Sequence, residues 1–75
     1  MREWLKNLRS EKRMTMKDVG AKLGISESYY CAIENGERQK KMDMMVVSGL
    51  AAAFEVPVAD IVRMECEYSR QGKLA

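Results

Sequence analysis

The sequence predicts an all-α fold, a compact bundle of five short helices in one domain. Three observations carry this. The 75 residues hold one proline, Pro57; β-branched runs are short; and glycines or short oxygen-bearing residues separate stretches whose apolar positions recur at helical spacing.

The first helix is expected from about Arg2 to Lys12, with Trp4, Leu5 and Leu8 on one side and Arg2, Lys6, Arg9 and Lys12 spread round the other. Thr15 offers an oxygen to the unpaired N–H groups of a second helix, about Met16 to Leu23, which Gly24 ends. Ser26 caps a third, about Glu27 to Asn35, and Gly36 is suited to the left-handed residue that stops it. Glu37 to Lys41 is a polar loop. Asp43 caps a fourth helix running to about Phe54, and Pro57 introduces a fifth from Val58 to about Glu65. Residues 1–67 form the domain, and 68–75 a C-terminal tail with little to bury that is expected to fray.

Composition narrows the function classes. Charged residues make up 32% with a net charge of only +2, so a nucleic-acid surface has to come from local clustering. There is no histidine, no paired-carboxylate motif and too little chain for a pocket beside a core, so no enzyme, metal, cofactor or small-molecule ligand is expected. Cys31 and Cys66 lie far apart without CxxC spacing and read as two ordinary thiols. No apolar stretch approaches the roughly 18 residues of a membrane span, and the N-terminus is unlike a signal peptide, so a cytoplasmic protein is expected.

The functional signal lies between Met16 and Gly36. Val19 and Leu23 form the inner face of one helix, and Tyr30 and Ile33 that of the next. Gly24 allows a tight turn, Ile25 plugs the corner, and Gly20 lets the two backbones cross closely. These are the constraints of a helix-turn-helix. The segment TMKDVGAKLGISESYYCAIENGER resembles the helix-turn-helix of Cro proteins, phage repressors and related bacterial regulators, a λ-repressor-like fold, over about Leu5 to Val62. The resemblance implies a recognition helix in the major groove of duplex DNA. It places Ser26, Glu27, Ser28 and Ala32 toward base edges, with Tyr29 nearby against the DNA backbone. Further backbone contacts fall to Thr15, Met16 and Lys17 at the start of the second helix and to Asn35, Arg38, Lys40 and Lys41 after the third. It also implies an ion pair between Arg9 and Glu34.

The fourth helix suggests assembly. MMVVSGLAAAF carries no charge; Met44, Val47, Leu50, Ala51 and Phe54 supply an inward stripe, which leaves Met45, Val46, Gly49, Ala52 and Ala53 for the outer sides. A second copy of the chain is the expected cover, giving a homodimer; the alternative is that the fifth helix or tail folds over this face through Val58, Val62 or Tyr68. The leading function is therefore a dimeric transcriptional repressor on an inverted repeat. The rival is a protein-interaction module on the same fold, such as an antitoxin subunit bound to a protein partner.

Overall fold

The computed structural model describes residues 1–74, and three of its helices start where the sequence offers caps. They are α1 (Glu3–Glu11), α2 (Met16–Leu23), α3 (Glu27–Asn35), α4 (Met44–Phe54) and α5 (Val58–Leu74). Thr15 Oγ1 accepts from Asp18 N at 3.0 Å, Ser26 Oγ from Tyr29 N at 3.0 Å, and Asp43 Oδ1 from Val46 N at 2.8 Å. Each such cap is worth about 1 kcal/mol. Gly24 (φ 73°) and Gly36 (φ 83°) end α2 and α3 in the left-handed conformation, where a Cβ would be strained. The chain measures 33 × 24 × 22 Å.

Leu5 and Leu8 of α1, Val19 of α2, Tyr30 and Ile33 of α3, Val47, Leu50, Ala51 and Phe54 of α4, and Ile61 of α5 form one core. Leu23 and Ile25 pack at its edge. No helix among the described residues is long and apolar enough to cross a membrane.

Two expectations are corrected. First, α4 sits in a different phase: Met44, expected to point inward, is 77% exposed, while Ala53, expected outside, is buried. Val46 and Gly49 are half-buried as well, because α2 lies against this side; a Cβ on Gly49 would stand 3.2 Å from Leu23 Cγ. Of the five outer positions only Met45 and Ala52 are exposed. A helix this apolar has little contrast between faces; its one polar residue, Ser48, is exposed on the side of Met44, Met45 and Ala52 and is the phase marker in the sequence.

Second, α5 runs past Glu65 to Leu74 and carries Tyr68 into contact with the body. The Arg2 guanidinium lies 5.3 Å from the Tyr68 ring centroid, and the Tyr68 hydroxyl would stand 2.6 Å from a Cβ on Gly36. Tyr68 is half-buried there, which gives the last turns of the helix an apolar anchor. Val58 and Val62 are 45% and 44% exposed and do not fold over α4. Ala75 lies outside the described residues.

Candidate nucleic-acid interface

The geometry begins at the crossing of α2 and α3. A Cβ on Gly20 would lie 3.1 Å from the Ile25 carbonyl oxygen and 3.3 Å from that of Ser26, so the glycine is what lets the turn pass this close. Ile25 N donates to Gly20 O at 2.9 Å and closes the corner.

From Ser26 the chain enters α3 with one face committed to the core. Tyr30, Ile33 and Glu34 are buried. Opposite them run the exposed Glu27 and Ser28 and the half-exposed Cys31, Ala32 and Asn35. At 100° per residue this outer stripe is centred on Ser28 and Asn35, with Ala32 and Cys31 each about 50° to either side and Glu27 beyond Cys31. Cys31, read from the sequence as an ordinary thiol, therefore stands half-exposed at one edge of the presented face; the spacing 28, 31, 35 was the signal for it. Asn35 Nδ2 donates to Cys31 Sγ at 3.5 Å. The Ser26 oxygen is already used as the cap, leaving its hydroxyl proton available.

Two arginines grip the far end of α3. Arg9 Nε and Nη2 donate to the two carboxylate oxygens of Glu34 at 2.9 and 3.1 Å, and Arg9 Nη1 donates to Met14 O at 3.1 Å. Glu34 is fully buried while Arg9 keeps 16% of its surface, and the bond to Glu34 holds the guanidinium pKa above its ordinary value against the opposing effect of burial. The Tyr30 hydroxyl lies beside this pair with no partner in hydrogen-bond geometry among the described residues. Burial, and next the Glu34 carboxylate, push its phenol far above the ordinary value.

The second arginine, Arg2, is expected on the polar side of α1 and is instead fully buried, because its guanidinium finds acceptors inside the molecule. Arg2 N donates to Glu34 O at 2.8 Å, and the Arg2 side chain, fully buried, pairs with Glu65 of α5 at 2.8 and 2.9 Å. Cations at this end suit the negative pole of the helix and its unpaired carbonyls.

Around α3 lie the cations expected to meet phosphates. Lys17 at the start of α2 and Arg38, Lys40 and Lys41 after α3 are exposed. The loop folds back along α3: Gln39 Nε2 donates to Tyr29 Oη at 3.0 Å, and Gln39 Oε1 accepts from Asp43 N at 3.0 Å. Tyr29 is half-buried with its hydroxyl engaged, and Met16 packs against the core, so the side chain of neither stands out fully toward a ligand. At the start of α2, Asp18 completes a capping box by accepting Thr15 N at 3.0 Å. The bonds with Thr15, backbone first, hold the Asp18 carboxyl below its ordinary value. Its charge occupies the positive end of α2, which leaves that end less attractive to a phosphate than a bare helix start.

A helix-turn-helix family model matches residues 5–61, which spans α1 to the core residue Ile61. The chain belongs to the Cro/C1-type helix-turn-helix family. It is also similar to the uncharacterized HTH-type transcriptional regulator YqaF of Bacillus subtilis (strain 168), 46% identical over 55 residues that cover 73% of this chain and 72% of that protein. No solved structure gives a significant match. The family is one of DNA-binding transcription regulators, which makes the outer stripe of α3 the candidate DNA-reading surface.

Proposed function

We propose that the chain is a transcriptional repressor that binds an inverted repeat in duplex DNA as a homodimer, with α3 in the major groove. The observation that carries this is the construction of α3: capped at Ser26, stopped at Gly36, and held from behind by Arg9 and Arg2, it turns Ser28, Ala32 and Asn35 outward on a rigid base, with Glu27 and Cys31 along one edge. Glu27 suits a cytosine amino group, Ser28 accepts or donates, Asn35 can do both, and Ala32 at the flank suits a thymine methyl. Thr15, Lys17, Arg38, Lys40 and Lys41 anchor phosphates and set the register, with Met16 contributing only its backbone N–H. The resemblance to Cro and phage repressors favours repression.

Dimerisation is supported by the exposed apolar residues of α4 and α5. Met44 and Met45 are 77% and 83% exposed and share a face with Ala52, while Val58 and Val62 stand out from α5. The exposed face of α4 replaces the expected set of Met45, Val46, Gly49, Ala52 and Ala53, of which Val46, Gly49 and Ala53 are turned inward. Two copies joined through it would offer recognition helices to successive major grooves about 34 Å apart. The exposed methionine pair equally suits a protein partner, since methionine adapts to varied surfaces; that is the second reading, an antitoxin-like interaction module.

Selection of bound sites from a random duplex library separates the two. An enriched inverted repeat supports the repressor, and enrichment of nothing supports the interaction module. Sedimentation of wild type beside Ala52→Glu tests the interface: a wild-type dimer and a folded monomeric variant are expected, and a variant that still dimerises removes α4 from it.

A further inference from the structure

Arg2 is the largest fully buried side chain of the protein, yet it lies next to the N-terminus and outside the residues that define the family match. A guanidinium has five N–H donors, and here every one has an acceptor. Nε and Nη2 take the two oxygens of Glu65 at 2.8 and 2.9 Å. Nη1 donates to the carbonyl of Ile33 and, at 3.2 Å, to that of Arg38; Nη2 also donates to the carbonyl of Gln39. Trp4 Nε1 adds a third donor to Glu65 at 3.3 Å, and the Tyr68 ring lies 5.3 Å from the guanidinium carbon.

A residue with all its donors used and no exposed surface cannot itself touch DNA. What it holds, however, is the loop that can. Two of the carbonyls belong to Arg38 and Gln39, inside the segment that carries Arg38, Lys40 and Lys41. Gln39 has φ 56°, a left-handed conformation that costs energy for any residue with a Cβ. Its carbonyl bond to Arg2 and its side-chain bonds to Tyr29 and Asp43 oppose relaxation of that conformation.

We propose that Arg2, oriented by Glu65, is a positioning residue for DNA binding: it fixes the α3–α4 loop so that the cations of that loop meet phosphates while α3 reads bases. The inference rests on the DNA-binding reading. Through Glu65 and Tyr68 it also ties the loop to α5, so the end of that helix becomes part of the DNA-binding apparatus without contacting DNA.

Arg2→Lys is the decisive variant, because it keeps the charge and discards the planar fork that spans Glu65 and the carbonyls. Affinity for the site selected from the library is measured against salt concentration, with the active fraction fixed by stoichiometric titration. The same series is run with Lys40→Ala/Lys41→Ala in both backgrounds. Each lost phosphate contact lowers the log–log slope by about 0.9, so Arg2→Lys is expected to reduce it by about 1 to 3 with base preference unchanged. The lysine replacements should then cost less on Arg2→Lys than on wild type. A wild-type slope in properly folded Arg2→Lys overturns the proposal, as does full additivity with the lysine replacements. Should Arg2→Lys not fold, Glu65→Gln, which keeps volume and one acceptor, is read the same way. If neither folds, Arg2 is only a structural keystone and the proposal is likewise overturned. Failure of wild type to select any duplex removes the DNA-binding reading itself and is seen before any variant is made.

Discussion

Gly20 and Gly49 allow the same substitution to be made at two helical positions with opposite expected signs. Replacing a helix-interior glycine by alanine returns about 1 kcal/mol through backbone entropy and helix propensity. At Gly49 the new Cβ meets Leu23 Cγ at 3.2 Å and Cδ2 at 3.6 Å. Leu23 is half-buried and can turn aside by a few tenths of an ångström, so Gly49→Ala is expected to stabilise by about 0.5 to 1 kcal/mol. At Gly20 the new Cβ meets main-chain oxygens, Ile25 O at 3.1 Å and Ser26 O at 3.3 Å. Those atoms are fixed by the Ile25 N to Gly20 O bond and by the Ser26 cap, so the helices have to separate. Overpacking of this kind costs about 1 to 3 kcal/mol, which cancels the return and leaves Gly20→Ala destabilised by up to about 2 kcal/mol. Urea denaturation with unchanged slope m reads both differences directly. A Gly20→Ala protein as stable as Gly49→Ala would refute the close crossing of α2 and α3, and with it the rigid base attributed to α3. Gly49→Ala should also leave self-association unchanged, since Gly49 faces Leu23 of its own chain.

Three further outcomes follow from the buried and capping groups. Arg9→Ala leaves the fully buried Glu34 without its partner and is expected to cost about 3 to 5 kcal/mol in denaturant melts, whereas Glu34→Ala leaves Arg9, 16% exposed, able to reach water and should cost less; additive losses in the double variant would dissolve the pair. Asp18 has a folded pKa below the ordinary 3.8, so the stability its charge gives is complete above that value and is lost as pH falls through the folded one; the melting-temperature gap between wild type and Asp18→Asn should narrow below about pH 4, and a constant gap would mean the charge has no part in the cap. Maleimide attached to Cys31 should abolish duplex binding, with DNA shielding this thiol and not Cys66; equal labelling of both with and without DNA would put α3 outside the groove.

The helix boundaries were legible because their causes are local. Thr15, Ser26 and Asp43 each bond an amide three residues on, and Gly24 and Gly36 take conformations few other residues tolerate, so α2, α3 and α4 begin and end where the sequence places them. Arg9 and Glu34 were reached through family resemblance, since nothing in a 25-residue separation announces a contact. Arg2 and Glu65 lie 63 apart, and the resemblance covers neither the Arg2 position nor the far turns of α5, so no signal pointed to them. Met44 and Ala53 exchanged sides because the single polar residue of α4, Ser48, is a weak marker among apolar neighbours, and the packing of α2 against Val46 and Gly49 fixes the rotation. Helical spacing places Cys31 at the edge of the face that Ser28 and Asn35 centre, which its residue type alone does not reveal.

The charge around α3 bears on why one copy would bind DNA weakly. The outer stripe holds no cation, and Glu27 stands on it. The exposed cations flanking it, Lys17, Arg38, Lys40 and Lys41, are interleaved with Asp18, Glu37 and Asp43, which are exposed as well. If all four cations neutralise phosphates, one copy reaches a salt slope of about 3.6, at 0.9 per contact. Two copies on one inverted repeat double that slope and the count of base contacts while placing no additional charge on either reading face. A monomer could gain the same affinity only by exchanging the acids for bases, which would raise affinity for every sequence equally. An acidic reading face would therefore favour specificity over affinity, and in the proposed dimer the exposed apolar residues of α4 would be where the missing affinity is recovered.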